Sequence, residues 1–279
     1  MKPFHRAALG ALLWLIPFSI CLGATPDLEG TWAMVQVYPQ IAILPFAGEV
    51  ERTSHVVQWV DITQDGETLI MQDRYCLTAI DDGTLLVKTV IPDAFMSSLQ
   101  PTVRVATLAE SDSEILFIQD VYTEVRGAML TNPQDDALPT DPDDPRVVDQ
   151  DKDGYPGLTV SVSILGIIEG ATYVVQRVRY ALSGKLISPD RIEGTMEWSD
   201  EQTVLDATNA LLKADTIGYP DPDPTRHLFI MLRLDGPTTC EWLGEHWRGL
   251  FGLELRQASS CPVQQILLAQ ARGGRHVVF

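Results

Sequence analysis

Two Asp-Gly dipeptides, Asp65-Gly66 and Asp82-Gly83, constrain this chain more than any other local feature. Each stands between runs rich in β-branched and aromatic residues, and an Asp-Gly pair supplies the positive φ that a two-residue hairpin needs. The runs at 55–63, 68–80 and 84–91 therefore predict an antiparallel meander. Further strand-like runs follow at 102–108, 114–124, 158–168, 171–182, 192–198 and 227–234, with Ser183-Gly184-Lys185 read as a turn. Only 203–214 reads as a good helix, because Val204, Leu205, Ala207, Leu211 and Leu212 fall on one helical face. Pro220 to Pro224 alternates proline with aspartate and reads as a stiff linker. About ten strands and one short helix predict an all-β, antiparallel barrel.

The strand pattern stops between Val125 and Pro156. A connection of that length is usually functional or disordered. It is acidic, with Asp135, Asp136, Asp141, Asp143 and Asp144 interrupted by four prolines, and it ends in Asp149-Gln150-Asp151-Lys152-Asp153-Gly154-Tyr155. Aspartates at every second position followed by glycine gather carboxylate oxygens around one point, as a hard cation such as Ca²⁺ requires. The solvated alternative is an acidic loop held open by its own charge.

This segment resembles the DxDxDG calcium loops of EF-hands, dockerins and thrombospondin type-3 repeats. The resemblance implies side-chain oxygens from Asp149, Asp151 and Asp153 and a backbone carbonyl from Tyr155. It departs from the EF-hand at the twelfth position, where Val160 stands in place of a bidentate glutamate, and no helices flank the loop. Asp143 or Asp144 is a candidate for completing the ligand set. At the other end of the chain, Gly30-Thr31-Trp32 opens the first strand and resembles the Gly-x-Trp start of lipocalins and lipocalin-like barrels. That implies a tryptophan packed across the barrel floor and a mouth able to hold a small apolar ligand, with Trp32, Trp59 or Trp198 as lining. Ile192-Glu193-Gly194-Thr195 echoes Leu28-Glu29-Gly30-Thr31, four residues that do not make a repeat.

Composition limits the partners. With 20 basic and 38 acidic residues the net charge is −18, which excludes the basic surface that nucleic acid demands and disfavours anionic lipid headgroups. The N-terminus has the three parts of a secretory signal over residues 1–24: Lys2, His5 and Arg6, an apolar stretch at 7–22, and Leu22-Gly23-Ala24. Its removal leaves no apolar span and predicts an exported protein, periplasmic or extracellular.

Cys76, Cys240 and Cys261 remain after cleavage. An oxidising compartment predicts one disulfide, Cys76–Cys240 by preference because both flank strand-like segments, with Cys240–Cys261 as the alternative. The barrel domain is expected at 25–235, its acidic loop at 133–157 and a C-terminal extension at 236–279. In that extension Trp242, Leu243, His246, Trp247, Leu250 and Phe251 recur at helical spacing, and 263–271 offers a second helix.

No G-x-S-x-G, H-E-x-x-H, P-loop or G-x-G-x-x-G occurs, and His55, His227, His246 and His276 are scattered. Arg177 and Arg179 share one strand face; they either grip an anionic ligand inside the barrel or pair with carboxylates outside. The expectation is a calcium-stabilised barrel serving as a non-enzymatic binding or structural protein for a small apolar ligand or a surface partner. The alternatives are a secreted hydrolase with a carboxylate pair and a cell-surface module using the acidic loop and the Trp-rich tail.

Overall fold

The computed structural model describes residues 25–44, 48–213 and 217–253. The expected signal segment at 1–24, the helix at 263–271, Cys261 and His276 lie outside them. The chain forms β1 (Gly30–Leu44), β2 (Gly48–Asp65), β3 (Thr68–Asp81), β4 (Val87–Val90), α1 (Asp93–Ser98), β5 (Thr102–Ser111), β6 (Glu114–Arg126) and β7 (Leu158–Ile164). It continues through β8 (Ile168–Ser188), β9 (Arg191–Ala207), β10 (Ile217–Pro220), β11 (Leu228–Arg233) and α2 (Cys240–Phe251). All the strand pairings are antiparallel.

Eight strands close a ring in the order β1, β2, β3, β5, β6, β8, β9, β11 and back to β1. Closure leaves no unpaired edge in that ring. Strand β8 is 21 residues long and shares one edge between two partners. Its residues from Gln176 onward pair with β6, while Ile168 to Val174 pair with β7, which in turn pairs with β4. One end of the barrel is therefore walled by β7 and β4 where the other has β6 and β5. Helix α1 sits beside β3 and β7, with Phe95 buried against Tyr75, Leu158 and Val160.

Side chains alternate across each strand, so one set fills the interior and the other meets whatever covers the outside. The closed half is packed around Trp32, Met34, Leu69, Phe117, Phe229 and Met231, all fully buried. The Trp32 indole N–H donates to the Leu28 carbonyl at 3.0 Å, and the Arg233 guanidinium lies 4.8 Å over its ring. On the outer face, Ala33, Val35 and Val57 are covered by Leu243, Trp247 and Phe251 of α2. The helix begins at Thr239, whose hydroxyl accepts from Trp242, and ends at Gly252 in the left-handed conformation. Among the described residues no helix is long and apolar enough to cross a membrane.

Three local expectations differ from the fold. Gly184 is not in a turn: it pairs with Gly194 within β8 and β9, and a Cβ on Gly184 would lie 2.7 Å from the Phe229 ring. These glycines are the seat of a core aromatic. The segment 203–214 is not a helix: its first five residues complete β9, followed by a short 3-10 turn at Ala210–Leu212. Both faces of β9 are covered there, Val204 by the cavity wall and Leu205 by Val175 and Ala128, so apolar residues adjoin and strand alternation disappears. Asp82-Gly83 does turn the chain, yet β4 pairs with β7 rather than folding back on β3. A Cβ at Gly83 would fall 1.6 Å from the Glu51 carbonyl oxygen, so this turn is fixed by its approach to β2.

Cys76 of β3 and Cys240 of α2 form a disulfide spanning 164 residues. Cross-linking so long a loop constrains the unfolded chain strongly. Replacing both cysteines with serine should cost about 2–5 kcal/mol, read as a lowered urea midpoint. An unchanged midpoint would mean that the packing of α2 alone holds it on the barrel.

Candidate functional site

The open half of the barrel encloses a cavity of about 400 Å³. Inward positions at this end are contributed by β1, β2, β3, β4, β7, β8, β9 and β10 and by Arg126 at the end of β6, with Phe95 of α1 closing one side. The walls are mainly apolar, carried by residues such as Val56, Ile80, Phe95, Val160, Val162 and Val204, with Ser54, Thr78, Gln176 and Gln202 among them. Charged and aromatic polar groups in the lining are Tyr38, Arg52, Tyr75, Arg126, Trp198 and Asp200.

Each charge there is set by its neighbours. Arg126 donates to Glu124 at 2.7 Å and lies 5.2 Å over the Tyr75 ring, while the Tyr75 hydroxyl donates to the same carboxylate at 2.7 Å. Arg52 pairs with Asp82 at 3.3 Å, and Asp82 also accepts from the Thr89 amide and hydroxyl at 2.6 and 2.8 Å. Burial pushes the Tyr38 and Tyr75 hydroxyls well above their ordinary range and pulls Arg52 below its own. Tyr38 donates to Gln36 at 2.9 Å and meets Trp198 edge-on, ring centres 5.2 Å apart. Trp198 donates to His227.

Asp200 differs from the other carboxylates. Its side chain faces the cavity space and makes no hydrogen bond or ion pair with the described residues. Desolvation raises its carboxyl to about 6, against the opposing pull of Arg126 and Arg52, although the residue remains exposed to solvent.

Beneath the cavity lies a fully buried polar layer. Arg104 pairs with Asp73 and donates to Gln119, with Gln36 and Gln58 beside them. Burial lifts the Asp73 carboxyl to about 6 even though Arg104 and Thr102 act to lower it.

The second constellation lies outside the barrel. The long β6–β7 connection is tied down by bridges between Ala128 and Val147 and between Asp149 and Gly157. It covers the outer face of β8 and β9, burying Val175 and Leu205. Arg177 points outward, pairing with Glu201 at 2.7 Å and donating to the Asp136 carbonyl, and Arg179 donates to the Gln134 carbonyl. Of the two readings of these arginines, the exterior one describes their contacts.

Within that connection, Asp149, Asp151 and Asp153 bring one carboxylate oxygen each to within 4.8 Å of one another. The positive φ of Lys152 (58°) and Gly154 (90°) bends the chain around them. Asp149 accepts from the amides of Asp153 and Gly154 at 3.1 and 3.0 Å. Asp151 accepts from the Thr159 amide at 2.9 Å, and the Thr159 hydroxyl donates to Asp153. Asp151 is only 9% exposed, and its Oδ1 has no partner among the described residues. Burial, and the charges of Asp153 and Asp149, raise its carboxyl above the ordinary range. An unpartnered buried oxygen aimed among carboxylates suits a hard cation with oxygen ligands.

The other sequence candidates stand apart from both constellations. Asp144 is clasped by Arg146 at 2.7 Å, which holds its carboxyl down at about 2, and the Asp143 amide donates to Asp141; neither joins the cluster. The Tyr155 ring stacks on Tyr173 at 4.3 Å. Trp32 is in the packed half, and Trp59 lies on the outside beside α2 with Arg74 over its ring at 4.3 Å. Trp198 alone of the three tryptophans lines the cavity. Arg52, Arg126 and Asp200 were not singled out by the sequence; the available signal was a charged residue at an inward position of an otherwise alternating strand. No protein-family model, curated protein or solved structure matches the chain.

The raised Asp200 carboxyl has a consequence for folding. Its folded value exceeds the unfolded one of 3.8, so the folded chain holds this proton more tightly. The contribution favours folding at low pH and is lost as pH rises through about 6. Asp200→Asn should therefore gain in urea midpoint relative to the parent protein at pH 7, with the gain shrinking towards pH 4. A constant difference across that window would show that the carboxyl stays ionised throughout.

Proposed function

We propose that this protein is an exported, calcium-stabilised, lipocalin-like β-barrel that binds a small apolar ligand in its open half and acts without catalysing a reaction. The observation that carries this reading is the division of the interior, packed around Trp32 and Phe229 at one end and enclosing about 400 Å³ between mainly apolar walls at the other. A barrel of this size can fill its interior with side chains. An apolar ligand in that space would add dispersion contacts with the valine and isoleucine side chains that line it. The volume also falls in the roughly 300–1,000 Å³ range of small-molecule sites.

Calcium is supported by the all-carboxylate donor set and by the buried, unpartnered Asp151 oxygen. An ion there would cancel the repulsion among three aspartates and bind the connection to β7 through Thr159. With Val160 where a bidentate glutamate would sit, affinity should be modest, on the order of 10⁻⁴ to 10⁻³ M. Export is supported by the N-terminal signal and agrees with the Cys76–Cys240 disulfide.

The neutral fluorophore N-phenyl-1-naphthylamine should bind with enhanced emission. Thr78→Trp and Gln176→Trp, which fill the cavity from opposite walls, should each weaken it at least tenfold. Undiminished binding in both variants would place the fluorophore elsewhere and remove the cavity reading.

Ca²⁺ at about 1 mM should raise the melting temperature over that in EDTA by about 1–5 °C, corresponding to roughly 0.4–1.4 kcal/mol of linkage. Asp151→Ala should abolish the rise. Coincident melting curves in Ca²⁺ and EDTA would leave the cluster as a solvated acidic turn.

A further inference from the structure

Large apolar side chains on a protein surface ordinarily stand singly, but at the mouth of this cavity they gather. Leu85 and Leu86 of the β3–β4 connection are exposed, Leu85 completely. So are Leu165 and Ile167 of the β7–β8 turn, Leu211 of the short turn at Ala210–Leu212, and Tyr219 of β10. Their segments meet in space. The Leu165 amide donates to the Leu86 carbonyl at 2.7 Å. A Cβ on Gly170 of β8 would lie 2.9 Å from Leu212, which sets the turn carrying Leu211 beside the β7–β8 hairpin. Leu86, Leu165, Leu211 and Tyr219 also line the cavity, so the exposed cluster borders its opening.

Folding alone does not account for this placement. The β7–β8 turn closes with the Ile167 amide donating to the Ile164 carbonyl at 3.0 Å, and its central residues Leu165 and Gly166 both have positive φ, 57° and 64°. Asparagine, aspartate or glycine is the usual choice at such positions. A leucine there strains the backbone, and at 57% exposure it recovers little by burial. The charge around the cluster is balanced. Within two positions of its six residues stand Lys88, Glu169, Lys213 and Asp221, two of each sign. Lys213 is paired with Asp206 and Asp221 with Arg226. No cationic patch accompanies these leucines, in a chain whose net charge is −18.

We propose that this cluster docks the barrel, mouth first, on a zwitterionic lipid bilayer, so that an apolar ligand passes between bilayer and cavity without crossing water. The tips of separate turns enter the headgroup–acyl boundary independently, because burial of apolar surface there is non-directional. A bilayer is also the phase into which an apolar ligand partitions, and the opening then faces that supply. A zwitterionic surface presents no net charge to oppose the acidic barrel, whereas an anionic one would repel it. A second copy, mouth to mouth, would set one chain of net charge −18 against another. The docking stands on the exposed cluster; the ligand's route rests on the cavity reading.

The experiment is cosedimentation of the full mature protein with sucrose-loaded vesicles of phosphatidylcholine, alone or with about one-third phosphatidylglycerol. The parent protein should pellet with phosphatidylcholine and less with the anionic mixture. Leu85→Ser combined with Ile167→Ser, two positions outside the cavity lining, should weaken that binding at least tenfold and leave N-phenyl-1-naphthylamine binding in vesicle-free solution unchanged. Leu165→Asn should also weaken it while keeping or raising the melting temperature, since asparagine tolerates positive φ. Absence of the parent from the phosphatidylcholine pellet, or undiminished pelleting of the double variant, would overturn the bilayer contact. Tighter binding to the anionic mixture would overturn the zwitterionic surface. A dimer in sedimentation velocity that the double variant abolishes would overturn the bilayer in favour of a second copy. Vesicle binding without fluorophore binding would bring down the cavity reading and leave the docking surface standing.

Discussion

The two-ended character of this barrel depends on how one strand divides its hydrogen bonds. Backbone groups in a sheet must be paired along their whole length, and β8 satisfies one edge with β9 from Thr172 to Ser188. Its other edge changes partner near Val175, from β7 to β6. Where β6 and β5 complete the wall, inward side chains meet across the axis and pack. Where β7 and β4 replace them, β4 does not pair with β3, and α1 lies beside the seam. A cavity follows from that change of partner.

The boundary between the two halves is polar. Arg104 and Asp73 lie almost wholly out of contact with solvent, and a buried pair of this kind recovers in attraction roughly what it loses in desolvation. It is therefore weak as a source of stability. What it does is mark a level that an apolar core cannot cross: Phe117, Leu69 and Met34 lie in the packed half, and Tyr38, Tyr75 and Arg126 face the open one. A continuous hydrophobic column would have filled the barrel along its axis. The polar layer interrupts that column and gives the cavity a floor made of donors.

Much of the outer organisation was legible in the chain. The strands before and after Asp65-Gly66, the helix with Trp247, the Cys76–Cys240 bridge and the aspartate cluster are all local or pairwise signals, carried by turn residues, periodicity and compartment. The errors occurred where tertiary contact reverses a local cue. Gly184 reads as a turn because glycine ordinarily signals one, but here the Phe229 ring takes the space of a side chain. Val204 and Leu205 read as a helix because both faces of β9 are covered. The cavity was hidden for a related reason. Arg52 and Asp200 lie 148 positions apart in the numbering and become neighbours only when the ring closes.

The aspartate loop and the cavity lie on opposite faces of the same two strands, and this bears on why a binding barrel would carry so long a connection. Along β8, Gln176 and Val178 look into the cavity while Val175, Arg177 and Arg179 meet the loop. Along β9, Asp200 looks inward and its neighbour Glu201 looks outward to Arg177. Because successive side chains share one backbone, anything that fixes Arg177 and Glu201 also limits the positions open to Asp200 and Gln176. An ion at Asp149, Asp151 and Asp153 would tighten the loop against β7, which supplies Val160 and Val162 to the adjoining wall. Calcium would then lower the conformational freedom of the cavity without touching a ligand. That is a thermodynamic coupling through shared rigidity, and it requires the ion and the ligand to strengthen each other's binding by the same factor.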